Sequence, residues 1–261
     1  MRFGVCCGID NEEKVKIAVE SGFDYLECGF QLFANATEQQ LTEWEEREKK
    51  YNILCEAVNC FLPGSLPVTG DNVDYAAVSE FVARGMKNCA RMGVKVVVFG
   101  SSGARSIPSG YSWAKAVNQM SFFLREIASV EAAKYGITVV TEPLCKLETN
   151  VINTVKEGVM LALLADKENI TGLADIYHMM LSGDTYEDLE LVKDSIFHAH
   201  ISNPKGKEGK KRIYPAAADE YNYKSFIDIL ESGACQRISI EADYFDFSVD
   251  APLAAKILKS L

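Results

Sequence analysis

Histidine is scarce in this chain: there are three among 261 residues, His178, His198 and His200, all in one short stretch. That scarcity leaves little room for a histidine-rich metal cluster. Basic side chains are also under-represented, 27 against 37 acidic ones, for a net charge of −10. A phosphate backbone needs a basic face, so nucleic acid is not an expected partner. No apolar run approaches the roughly 18 to 20 residues that span a bilayer, so no membrane partner is expected. The amino terminus MRFGVCCGID lacks the pattern of a signal peptide. The eight cysteines form no CxxC pair, and several sit inside apolar runs. A disulfide framework suits much smaller secreted chains, so these cysteines are expected to be reduced, in a cytoplasmic protein. No glycine-rich GxGxxG turn follows the first apolar run, where Gly8-Ile9-Asp10 stands instead.

What the chain does have is alternation. Short β-branched or apolar runs begin at Arg2, Tyr25, Ile53, Val94, Ile137, Ile170, Ile196 and Arg237. Amphipathic stretches separate them: 11–21, 37–50, 73–92, 112–135, 154–165, 186–192, 224–231 and 249–260. The first opens on an Asn cap and stops at Gly22, as a helix should. Strand–helix alternation implies parallel pairing, and runs such as VKVVVFG are apolar on both faces, as a helix-covered sheet requires. Eight units in 261 residues fit a (β/α)8 TIM barrel, an α/β fold, with residues 1–261 as a single domain. The polar stretch 203–222, after the seventh strand, reads as one long irregular loop carrying Lys205, Lys207, Lys210, Lys211 and Arg212.

Barrels of this kind place chemistry at the carboxyl ends of their strands. The last four strands end in Glu142, Asp175, the pair His198 and His200, and Glu241. One imidazole and three carboxylates suit a single hard or borderline divalent ion: Mn²⁺, Mg²⁺, Co²⁺ or Zn²⁺. Asp175 stands well before the next expected helix, which argues against a role as a helix cap. His198 and His200 share a strand face, and the one nearer the rim is better placed for a metal. That leaves His198 open as a hydrogen-bonded layer residue. The turn Gly100-Ser101-Ser102-Gly103 with Arg105 could cradle a phosphate, or be a plain strand-to-helix connection.

The residues Thr141-Glu-Pro-Leu144 with Glu148, Asp175-Ile-Tyr-His178, His198-Ala-His200 and Ile240-Glu-Ala-Asp243 resemble the sugar phosphate isomerase/epimerase superfamily. These are xylose-isomerase-like barrels that include ketose 3-epimerases, inosose-processing enzymes and apurinic endonucleases. The stretch Arg91–Gly100 with Ser101–Arg105 is similar to the superfamily's fourth-strand unit, so the resemblance spans nearly the whole chain. It implies metal ligands at Glu142, Asp175, His200 and Glu241, and substrate contacts at His178 and Glu148. Ketose 3-epimerases carry an arginine six residues after the metal histidine; here that position is Gly206. Lys205, Lys207 or Arg212 could supply the charge instead, with Lys205 and Arg105 the expected substrate contacts.

The implied activity is divalent-metal-dependent epimerisation or isomerisation of a small sugar, sugar phosphate or polyol ketone. A metal polarises the carbonyl, and Glu142 and Glu241 act as catalytic acid and base on either side of an enediolate. An inosose-type dehydratase begins with the same proton abstraction. A non-catalytic sugar-binding barrel is the alternative outside enzymes, because fold alone does not establish activity. The nuclease branch requires histidines from early strands, and none precedes His178. The resemblance is also compatible with a homo-oligomer, for which the sequence carries no interface signature.

Overall fold

A computed structural model describes all 261 residues. Eight parallel strands close into one barrel in sequence order: β1 (Arg2–Cys6), β2 (Tyr25–Gly29), β3 (Cys55–Asn59), β4 (Val96–Phe99), β5 (Thr138–Thr141), β6 (Ile170–Asp175), β7 (Ile196–Ile201) and β8 (Arg237–Ile240). Pairing of β1 with β8 completes the ring. The expected α/β barrel is therefore the observed fold. No helix is long and apolar enough to cross a membrane, and all eight cysteines are free.

Alternation along each strand sorts side chains into two cores. Tyr25, Ala57, Val96, Val98, Val140 and Leu173 form a small cluster inside the barrel. Their outward neighbours join a cluster of 67 buried residues between sheet and helices. The imbalance shows that most of the apolar burial driving this fold lies at the sheet–helix interface. Inside the barrel, space is tight. A methyl group on Gly4 would sit 2.3 Å from the Tyr25 ring, so β1 must be bare there for the ring to cross the interior. The Tyr25 hydroxyl then bonds Ser239 Oγ at 2.9 Å, satisfying both buried groups.

Local chemistry fixes the helices. Asn11 caps Glu12–Glu20, Asp74 caps Tyr75–Arg91, and Thr37 with Gln40 and Thr154 with Glu157 form capping boxes on Glu38–Tyr51 and Val155–Ala165. Three helices go beyond the sequence expectation: Phe30–Ala34, Ser102–Arg105 and Ile176–Ser182. At four to seven residues they are too short for a 3.6-residue period to show. The run expected over 112–135 is helical but passes through a π-helical segment at Phe123–Ala128. The 203–222 stretch is less irregular than expected. Asn203 pairs antiparallel with Ile213, and Lys207 with Lys210, so its first half is a small hairpin.

Glu48, on the helix Glu38–Tyr51, is 6% exposed, and its carboxylate accepts only the Cys55 N–H, at 2.9 Å. Burial pushes its carboxyl up to about 7 from 4.5. The folded protein therefore holds a proton that the unfolded chain releases, and stability falls as pH rises from 4.5 through 7. Glu48→Gln keeps the acceptor without the charge. Urea denaturation at pH 5 and pH 8 is expected to show a smaller drop for the variant than for the native chain; an equal or larger drop would contradict this assignment.

Candidate active site

The inward phase of the strands turns from apolar to charged at the carboxyl rim. Glu27, two residues after Tyr25 on β2, is 1% exposed and lies beside β7's histidines. Its two oxygens take one imidazole each: Oε2 meets His198 Nε2 and Oε1 meets His200 Nε2, both at 2.9 Å. That contact orients the His200 ring, so Nδ1 faces the other way. There Glu142 Oε1 lies at 2.9 Å, Glu241 Oε2 at 3.0 Å and Asp175 Oδ2 at 3.6 Å. The ligand atoms of Glu142, Asp175, His200 and Glu241 all lie within 4.8 Å of one another. The four expected ligands are thus brought together, from strands β5 to β8.

Charge dominates this corner. Burial alone would depress the His200 pKa, but Glu27, Glu241 and Glu142 outweigh it and hold the imidazole well above its ordinary value. Burial raises Glu142, whereas His200 and Arg212 overcome burial to bring Glu241 down to about 2. Asp175 is held below the usual carboxylate range against its burial by the cationic groups beside it, Arg212 and His200. Deprotonated, His200 Nδ1 would offer its lone pair at the point where three carboxylates converge, while Nε2–H stays on Glu27. This is the arrangement in which a carboxylate fixes the tautomer of a metal-binding imidazole. Glu241 Oε2 supplies a further sign. It is buried, near two cationic groups, yet receives no well-aligned hydrogen bond. The donor set fits a divalent cation.

His198 answers its open question differently. It is fully buried one layer below, and its only partner is Glu27. It is a layer residue.

A cavity of about 450 Å³ opens above these groups, lined by Glu142, Glu148, His178, Arg212, Glu241 and Asn59 together with Gly100–Gly103 and Leu62–Gly64. His178 Nδ1 accepts the Cys145 N–H at 3.0 Å, so its proton sits on Nε2. Cys145, Glu148 and His178 are close enough to suggest a second metal group. The occupied Nδ1 argues against it, because Nε2–H is a donor without a free lone pair. His178 is built to donate a hydrogen bond.

Four sequence expectations need correction or sharpening. Asp175 is a helix cap after all: Oδ1 accepts from Tyr177 N at 2.7 Å and His178 N at 3.2 Å, because the helix Ile176–Ser182 starts immediately after it. Only Oδ2 is left for the site. Arg105 does not line the cavity; it is fully buried behind the wall and donates to the Phe99 carbonyl at 2.9 Å. Lys205 also misses the cavity, pointing its Nζ at the Glu220 carbonyl instead. Of the three basic candidates on the loop, Arg212 is the one that reaches the site. Glu27 and Asn59, whose Nδ2 donates to Glu241 Oε1 at 3.0 Å, were not anticipated. Their signal was a polar residue at the inward phase of an otherwise apolar strand.

A family model for the xylose isomerase-like TIM barrel matches residues 15–261. The chain belongs to that family. No curated protein matches this xylose isomerase-like barrel by sequence. Its fold is similar to that of 3-keto-D-glucoside 4-epimerase YcjR from E. coli, with a TM-score of 0.77, 20% identity, and coverage of 100% of this chain and 98% of that one. D-Allulose 3-epimerase from Methylomonas sp., in complex with D-allulose, gives a TM-score of 0.79 at 18% identity over 100% and 96% of the two chains. IOLI protein with a bound zinc atom gives 0.71 at 17% identity over 100% and 96%.

Because the family member has only three histidines, each can be followed by NMR. In EDTA-treated protein, Glu27→Gln removes the largest charge raising His200, so the His200 titration is expected to move down in pH. An unmoved titration would show that Glu27 does not control that ring.

Proposed function

We propose that this barrel is a divalent-metal-dependent epimerase or isomerase acting on a small sugar, sugar phosphate or polyol ketone. The observation that carries the reading is the convergence of Glu142 and Glu241, from β5 and β8, on the same His200 Nδ1. Two carboxylates brought to one point from different walls can address two faces of one carbon. When bound, a divalent ion held by Glu142, Asp175, His200 and Glu241 would polarise the substrate carbonyl and acidify the adjacent C–H.

The chain's own residues supply the rest. One glutamate takes the proton beside the carbonyl, and the other returns a proton to the opposite face, inverting the centre. Return to the neighbouring carbon instead gives aldose–ketose isomerisation. Asn59 holds Glu241 by Oε1, leaving Oε2 toward the reacting centre. On the other side the bare Gly100 leaves room for Glu142, whose Oε2 a methyl group there would meet at 2.1 Å. His178 Nε2–H is placed to hold a substrate oxygen, with Glu148 accepting from a substrate hydroxyl. The similarity of the fold to keto-sugar epimerases agrees with this reading.

The test is exchange of substrate C–H with deuterated solvent, run with Mn²⁺ over ketoses, ketose phosphates and inososes. Exchange is expected with at least one class, and product analysis separates epimerisation, isomerisation and dehydration. Glu142→Gln and Glu241→Gln are each expected to lower turnover at least about 100-fold, the usual scale for losing a general acid or base. Full turnover in both variants would overturn the two-carboxylate mechanism. Gly100→Ala is expected to reduce turnover by displacing Glu142; unchanged turnover would show that the carboxylate position is not critical.

A further inference from the structure

We propose that Arg212 is a positioning residue that clamps Asp175 and Glu241 into their metal-binding geometry, and that the Asn203–Ile213 hairpin exists to deliver it. The proposal rests on the metal-dependent reading above.

Asp175 ends β6 and Glu241 follows β8, with β7 and His200 between them. Each carboxylate has one oxygen fixed by a neutral donor: Asp175 Oδ1 by two backbone N–H groups, Glu241 Oε1 by Asn59. The other oxygen of each faces Arg212. Nη1 donates to Asp175 Oδ2 at 2.7 Å, and Nη2 lies 2.8 Å from Glu241 Oε2. A single guanidinium therefore spans two strands that do not touch and sets the gap between two ligand oxygens. Lysine would bring the same charge without the planar fork.

Arg212 is held through both its side chain and its backbone. Its carbon lies 5.0 Å from the centroid of the Tyr177 ring. The Arg212 carbonyl accepts the Asp243 N–H at 3.1 Å, tying the loop to the chain just beyond Glu241. Behind it, Asn203 and Ile213 exchange backbone hydrogen bonds of 2.8 and 3.2 Å, and Lys207 and Lys210 close the tip. The tip turns at Glu208-Gly209, with φ of +53° and +82°, and just before it the outgoing arm bends at Gly206, with φ of +63°. A methyl group there would sit 2.3 Å from the Lys210 carbonyl oxygen and 2.6 Å from that of Lys211. So the position six residues after His200 must be bare for the hairpin to close, and the arginine comes from the returning arm instead. Arg212 is also the only arginine or lysine among the cavity-lining residues.

Calorimetric titration of Mn²⁺ into the EDTA-treated full chain tests the clamp. Native binding that is lost in His200→Ala locates the ion. Arg212→Lys, which keeps the charge, is expected to weaken binding about tenfold, the lower end for losing a partner of a metal ligand. Gly206→Ala is expected to weaken it in the same direction without touching a ligand. Methylguanidinium is expected to tighten binding by Arg212→Ala, a rescue that a merely structural role would not show. Native affinity in Arg212→Lys, tighter binding in Arg212→Ala, native affinity in Gly206→Ala, or failure of the rescue would each overturn the proposal. Failure of the native chain to bind Mn²⁺ at His200 would overturn the metal-dependent reading along with it, whereas the variant outcomes bear on the clamp alone.

Discussion

Three carboxylates and a fourth behind them surround one imidazole, and the rest of the rim is arranged to tolerate that charge. Glu27 faces His200 from below, and Glu142, Asp175 and Glu241 face it from above. Buried like charges at this spacing repel strongly in a low-dielectric interior, so the arrangement persists only with positive charge among them. His200 and Arg212 supply part of it, and a divalent ion at the convergence point would supply the remainder. A barrel interior suits this demand because each carboxylate comes from a different strand, and the sheet's hydrogen bonds keep the four from moving apart.

Below this charged tier the barrel is ordinary. Aliphatic side chains and the Tyr25 ring fill it, and His198 forms the boundary layer, bonded to the same Glu27 that steers His200. One carboxylate thus couples the packed interior to the charged rim. The charged tier stands on one that is close-packed.

Much of this was legible in the chain. Eight apolar runs and their intervening amphipathic stretches specified the barrel, since parallel strands need helical crossovers. The residues ending β5 to β8 could be picked out because a polar side chain at the end of an apolar run has few structural reasons to be there. Glu27 escaped that search, being buried within its strand and not at a loop. The cap role of Asp175 escaped it because a seven-residue helix leaves no periodic trace. Arg105 and Lys205 were plausible by proximity in sequence, but a side chain's direction depends on the turn that carries it. One turn aims Arg105 into the wall and another aims Lys205 along the loop.

The sequence by itself therefore determined the architecture and marked Glu142, Asp175, His200 and Glu241 as polar residues ending apolar runs, because these follow from periodicity and composition, which are local properties. Only the tertiary structure decided which nitrogen of His200 faces the carboxylates, that His198 serves the layer beneath, and that Arg212 and not Lys205 reaches the cavity. Those are relations between residues as far apart as Glu27 and His200, or Asn59 and Glu241, and they exist only once the barrel closes and brings distant strands to one rim.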